Sequence, residues 1–446
     1  MIPKTRRRSS GQYSARPSGL KGLPDTLRRL TGRLSEPLAR PDRINLIGFI
    51  AIAGFVAAVA YHVIQGAYLG RGYPFSTFLF RPLARFSDLL VFQGVLSNPD
   101  LGRLFNYPPF TYLVIYPFSV ISRNLALFLF LSGFIGLFLF FSVRNLRTDS
   151  GFDTARNVLA FSFMSYPFLF ALDRANFEAY VFVLLYLFVA CYRQEKRLLA
   201  AVCLSVAISM KLYPAIFLLL PLSDRKYRDM MYTVGFTALL SAAGFLLFDG
   251  GLAANVPRFT HGLWAFNHVY VVGNEGWYCG SSLFGALKFL FIGLPGFSRS
   301  SLVVLSGVNS RMAIIAGAAL LYYLLSFEKE LWRKVALLVL AMILLPQVSP
   351  DYKLMHLFTP LFLFVNKPAT ERWDVLYTIL FALLLIPKSY FRLPETPEAS
   401  VSLLLNPLVM LVLAGFIIWE GVAAGPRRRR VSVPKRDRVV AEAVET

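Results

Sequence analysis

Charge is scarce in this sequence. Only 16% of its 446 residues are Asp, Glu, Lys or Arg, against about 25% in an average soluble domain. That scarcity excludes a disordered chain and a coiled coil, and it excludes an ordinary soluble enzyme. Cysteine is scarcer still. Three residues (Cys191, Cys203 and Cys279) cannot build a disulfide framework, and no C-x-x-C pair exists. The four histidines (His62, His261, His268 and His356) are scattered, which argues against a zinc site. There is no H-E-x-x-H, Walker A, G-x-S-x-G or EF-hand sequence. Asp88 has no Asp at 86 or 90, so no local metal clamp forms. No metal and no cofactor are expected. Nor is a cleavable signal peptide, because the first apolar run begins only at Ile44.

What replaces the charge is apolar and aromatic. Hydrophobic residues make up 56%, with 41 Phe and 21 Tyr. Twelve apolar runs stand out, at about 44–66, 124–143, 157–172, 177–192, 198–210, 212–222, 230–248, 305–326, 335–347, 354–366, 373–387 and 401–421. They are continuous rather than alternating, and lipid leaves no partner for an exposed backbone, so they read as helices and not as barrel strands. The expected fold is an all-α polytopic membrane protein of about twelve transmembrane helices. Its external, periplasmic loops would carry interfacial helices.

The net charge of +21 fixes an orientation. Short loops such as Arg193–Arg197 and Arg225–Arg228 are strongly basic and belong on the cytoplasmic side. Residues 1–43 read as a basic, disordered cytoplasmic tail, 44–424 as the membrane domain and 425–446 as a second cytoplasmic tail. Two long external segments follow, about 67–123 and 249–304, both rich in Gly, Pro, Tyr, Phe and Trp. The stretch Tyr107-Pro108-Pro109-Phe110 to Ile121 reads as a helix at the outer interface. A multi-pass protein of the plasma (inner) membrane is the expected setting. The lipid bilayer is its partner; nucleic acid is not expected, because the basic residues flank apolar runs.

Five places carry candidate chemistry. Asp88 stands in the first external segment between Ser87 and an apolar stretch. A carboxylate there suits a general base, or a helix N-cap. Lys211 lies between two apolar runs in Met210-Lys211-Leu212-Tyr213-Pro214. Pro214 breaks the helix, so Lys211 is either a phosphate-binding cation at an external elbow or a lysine snorkelling to the interface. Ser349-Pro350-Asp351-Tyr352-Lys353 and His356 interrupt two further runs. Lys353 and His356, one turn apart, could grip an anionic head group or simply face solvent. Asp173-Arg174-Ala175-Asn176-Phe177-Glu178 reads as a salt-bridged external turn or a contact site. Asn267-His268 and Asn274-Glu275-Gly276-Trp277 suit sugar hydroxyls and a pyranose face, or interfacial packing.

The order of these motifs resembles the GT-C superfamily of polytopic glycosyltransferases. It is most similar to the family-87 type, which includes polyprenol-phosphate-mannose-dependent mannosyltransferases. Where that family would place a Gly-Gln-x-Asn type turn, this chain has Arg174-Ala175-Asn176. The resemblance implies that Asp88 is the general base of an inverting transfer on the external face. The donor would be a polyprenyl-phosphate hexose, mannose being the commonest, and the acceptor a lipid or a glycan. Lys211, Lys353, His356 and Arg174 would hold the donor phosphate. Tyr107, Asn176, Tyr213, Glu275, Trp277 and Tyr352 would contact sugar or acceptor. A transporter or flippase of a lipid-linked or small anionic substrate is the alternative, and it predicts charges in paired, broken helices. A non-catalytic assembly factor is a third reading.

Overall fold

In lipid each segment must close its own backbone hydrogen bonds, and this chain does so with helices. The computed structural model describes residues 38–97, 107–273, 275, 278–292, 298–368, 370–392 and 398–426. Among them there is no strand, only two isolated bridges, Gly280 to Pro350 and Arg392 to Ser400. The first helices are α1 (Arg40–Val63), α2 (Ser87–Ser97), α3 (Pro109–Ser119), α4 (Arg123–Leu146), α5 (Gly151–Phe161) and α6 (Tyr166–Arg174). Then come α7 (Glu178–Arg193), α8 (Arg197–Met210), α9 (Leu219–Ser223), α10 (Tyr227–Leu246), α11 (Gly251–Phe266) and α12 (Leu283–Phe291). The last five are α13 (Arg299–Ser326), α14 (Leu331–Leu344), α15 (Phe358–Val365), α16 (Asp374–Leu385) and α17 (Ser402–Ala423). Short 3₁₀ turns at Tyr213–Leu218 and Asp351–Leu357 lead into α9 and α15.

The chain is an all-α polytopic membrane protein. Each of the twelve apolar runs coincides with one helix or a pair of short helical segments. Length separates them. α1 with its π-helical extension to Tyr68, α4, α10, α13 and α17 are each long and apolar enough to cross a membrane. The pair α5 and α6, bent by 56°, makes a sixth crossing if it counts as one span. The other runs are shorter or broken, so twelve full crossings are not what the helix lengths give. The breaks have causes: Pro167 and Pro214 sit at the second position of their segments, where a missing N–H is tolerated. The segments 67–123 and 249–304, expected outside, contain α2 with α3 and α11 with α12.

The core is an aromatic spine. Phe130, Phe134 and Phe138 recur every fourth residue along α4 and are fully buried. Phe138 stacks on Phe168 at 4.5 Å and meets Phe358 edge-on at 4.9 Å. The opposite face of α4 shows Phe128 and Phe140, which stay exposed, as a lipid-facing surface requires.

One end of α14, α15 and α17 is held by buried charge. Arg333 donates to Glu371 at 2.8 Å and to Glu420 at 2.7 Å. Lys367 pairs with Glu371 at 2.8 Å and with Asp374 at 2.7 Å. Arg43 donates to the carbonyls of Phe364 (2.7 Å), Leu38 (2.9 Å) and Lys367 (3.3 Å). These contacts explain why α1 starts at Arg40, inside the stretch assigned to the tail. The basic tails otherwise lie outside the described residues. Removing Arg333 leaves Glu371 with Lys367 and Glu420 with only the Tyr377 hydroxyl, in a largely buried site, so Arg333→Ala should cost about 3 kcal/mol of stability. A clear drop in the thermal unfolding temperature in detergent checks this.

Candidate active site

The site is assembled where several helices end. α8 stops at Met210, and Lys211 is extended (φ −147°, ψ 135°) before the 3₁₀ turn that Pro214 opens. The elbow therefore turns the Lys211 ammonium into the protein. α6 stops at Arg174 because Ala175 adopts the left-handed conformation (φ 46°). A side chain there is strained, and the turn brings Arg174 and Asn176 to one place. Phe86, also left-handed (φ 58°), donates its N–H to the carbonyl of Asp173 at 2.8 Å. That bond seats the start of α2, and with it Asp88, against the same turn.

The polar side chains then form one connected network. Asp88 accepts from Arg174 on one oxygen and from Asn176 on the other, the latter at 2.6 Å. Asn176 Oδ1 accepts from Lys211 Nζ at 3.0 Å and from the Glu178 N–H at 2.9 Å. Lys211 also donates to Glu178 Oε2 at 2.6 Å. The other Glu178 oxygen meets Tyr213 and, at 2.5 Å, His356 Nε2. Tyr107 and Tyr352 place their rings 5.0 and 5.3 Å from the Lys211 ammonium, and Arg174 stacks over Phe80 at 4.1 Å.

Nine of the residues singled out from the sequence thus meet: Asp88, Tyr107, Arg174, Asn176, Lys211, Tyr213, Tyr352, Lys353 and His356. Lys353 differs from the other cations. Its Nζ lies 4.0 Å over the Tyr213 ring and 3.5 Å from the Val348 carbonyl, with no carboxylate at ion-pair distance among the described residues. Burial pushes its ammonium down to about 8; the nearby Lys211 adds to the fall and Glu178 opposes it.

Glu178 is the residue that sequence reasoning missed. It is wholly buried and accepts from three side chains. The one signal was its place in the Asn176-Phe177-Glu178 turn, where an acid at the start of α7 also reads as an ordinary helix-dipole partner. Asp351, a second acid close by, is fully buried, and both its oxygens accept hydroxyl bonds. Asp173 accepts the Phe80 N–H and lies 3.6 Å from Arg85. Asp88 is the least buried of these four acids, its side chain 17% exposed.

The segment 249–304 comes close without joining the network. Burial raises the Tyr270 hydroxyl above its ordinary pKa, helped by the charges of Glu275 and then Asp88. Glu275 lines a separate cavity of about 520 Å³ with His268, Gly273 and Arg299. Trp277 lies outside the described residues. Among those residues no three His, Cys, Asp or Glu side chains gather as metal ligands.

A family model described as glycosyltransferase family 87 matches residues 105–350, more than half of the chain. Tyr107, Arg174, Asn176, Glu178, Lys211 and Tyr213 fall inside the match, Asp88 before it, and Tyr352, Lys353 and His356 just after it. No curated protein and no solved structure matches the chain.

The buried Lys211–Glu178 pair gives a stability test. Lys211→Met leaves a carboxylate without its ammonium and should cost about 3 kcal/mol. The double variant Lys211→Met with Glu178→Gln should lose clearly less than the sum of the two single losses. Thermal unfolding in detergent of the four proteins in the cycle checks it.

Proposed function

The chain belongs to glycosyltransferase family 87, and from that membership and the site's geometry we propose a single-displacement transfer with Asp88 as base. A hexose, mannose first among candidates, moves from a polyprenyl phosphate to a hydroxyl of a lipid or glycan acceptor, on the external face of the plasma membrane. The observation that carries this reading is the Asp88–Asn176–Lys211–Glu178 chain of contacts. It sets one partly exposed carboxylate beside buried cations.

The chemistry balances with these groups. Asp88 takes the proton of the acceptor hydroxyl as its oxygen attacks the anomeric carbon. The bond from that carbon to the phosphate oxygen breaks, and polyprenyl phosphate leaves. A phosphate is already a good leaving group, so cations rather than an acid stabilise it. Of the site's cations, Lys353 has no carboxylate at ion-pair distance among the described residues, and it meets the phosphate first. Lys211 and His356, both bonded to Glu178, stand beside it. Arg174 is bonded to Asp88 before substrate arrives; exchanging Asp88 for the incoming phosphate frees the base when the donor is in place. Glu178 and Asp351 have their oxygens occupied and are buried. Neither supplies a nucleophile, so one displacement inverts the anomeric centre, unlike a retaining two-carboxylate reaction. Tyr107 and Tyr352 flank the space around Lys211 and contact the sugar.

Protein in lipid vesicles, given a polyprenyl phosphate hexose and a membrane lipid extract, tests this. Released polyprenyl phosphate and a product of inverted anomeric configuration are expected; a retained configuration overturns the single displacement. The donor KM should rise as pH passes above about 8, because free Lys353 then loses its proton. Lys353→Gln should raise the donor KM about tenfold and flatten that alkaline rise. Steady-state kinetics between pH 6 and 9.5 reads both.

A further inference from the structure

We propose that Asp351 is a positioning residue: it latches the second external segment onto the stretch that carries Tyr352, Lys353 and His356. Its bonds go everywhere except to its own helix. The 3₁₀ turn Asp351–Leu357 has Pro350 as its cap and no side-chain capping bond. Instead Oδ1 accepts from the Ser281 hydroxyl at 2.5 Å and Oδ2 from the Tyr166 hydroxyl at 2.6 Å. Ser281 in turn accepts from Asn406 Nδ2 at 3.1 Å. Four regions therefore converge on this carboxylate: the start of α6, the strip before α12, the start of α17 and the 3₁₀ turn itself.

The backbone repeats the connection. The Asp351 N–H donates to the Cys279 carbonyl and the Ser281 N–H to the Ser349 carbonyl, both at 2.8 Å. Gly280 and Pro350 form the isolated bridge between them, and Ser282 Oγ donates to the Gln347 carbonyl at 3.0 Å. Two short strips, 279–282 and 347–351, are zipped side by side. The zipper is too short to hold itself, because two paired strips alone are marginal. A buried carboxylate taking two hydroxyl bonds supplies the fixed point, since charge-assisted bonds are the stronger kind.

The latch sits where it matters for the site. Tyr352 stacks on Phe170 of α6 at 6.5 Å, and Lys353 and His356 follow within two turns. Upstream of the strip lie Tyr270 and Glu275, and the Tyr270 hydroxyl feels the charges of Glu275 and of Asp88. Loosening Asp351 therefore releases the segment and misplaces Lys353 and His356 together. The effect on turnover rests on the glycosyl-transfer reading; the effect on the segment does not.

Cys279, partly buried in the strip, reports on the segment directly, while Cys191 and Cys203 are buried within helices. Burial pushes the Cys279 thiol up to about 12, so it is a poor nucleophile while latched. In full-length protein in lipid vesicles, Asp351→Ala should speed labelling of Cys279 by a water-soluble maleimide about tenfold or more. Asp351→Asn, Ser281→Ala and Tyr166→Phe should fall between wild type and Asp351→Ala. Should Asp351→Ala fail to fold, the two hydroxyl variants carry the test alone. Unchanged labelling in folded variants overturns the latch. In the transfer assay Ser281→Ala should raise the donor KM severalfold with kcat nearly unchanged. A fall in kcat at constant KM, alongside faster labelling, overturns the positioning role while leaving the latch. A wild type that turns over no donor would count against the transfer reading, and the labelling result would still decide the latch.

Discussion

A carboxylate with no exposure to solvent has to be answered by its neighbours, and around Glu178 three of them are committed to that task. Burying an unpaired carboxylate is prohibitively costly. The start of α7 therefore cannot be placed unless Lys211, Tyr213 and His356 reach it. Those side chains come from the end of α8 and from both 3₁₀ turns. Glu178 thus fixes how three interrupted helices meet. Asn176 extends the arrangement by one bond to Asp88. The site's geometry follows from neutralising one buried charge.

That constraint also sorts the acids by what they can do. Glu178 and Asp351 are held and hidden, and Asp173 is tied to a backbone N–H and to Arg85. Asp88 keeps partial access to the outside, at the start of a short helix seated by one backbone bond from Phe86. The cations sort in the same way. Lys211 has a carboxylate partner, whereas Lys353 rests on an aromatic face. On the reading proposed above, that division leaves one group to accept a proton and others to receive a departing phosphate.

Much of this was legible in the sequence, for identifiable reasons. Continuous apolar runs left no fold but helices, and each run became one helix or a pair of short helical segments. Lys211 was legible because an ammonium between two apolar runs is expensive, and Pro214 told where the chain must turn. Asp88 and Arg174 were legible as candidates; their mutual bond was not, because nothing in sequence spacing joins residues 86 positions apart. Glu178 was hidden by its setting at the start of a helix, where an acid needs no further explanation. Asp351 was legible as part of the Ser349–His356 interruption, but its bonds to Tyr166 and Ser281 were not, because they join residues 185 and 70 positions apart. Twelve crossings are not confirmed by helix length, which among the described residues gives five long apolar helices, or six with the bent pair: hydropathy marks an apolar run, but prolines and buried polar residues decide whether it becomes one long helix.

The central claim is that Asp88 takes the acceptor's proton. Asp88→Asn keeps the size and one acceptor oxygen, and removes the basicity. Release of polyprenyl phosphate should therefore fall by about a hundredfold or more, the scale of a lost general base, while a polyprenyl phosphate analogue still binds and the protein unfolds at its normal temperature. Release at the wild-type rate from a folded Asp88→Asn protein would contradict the account.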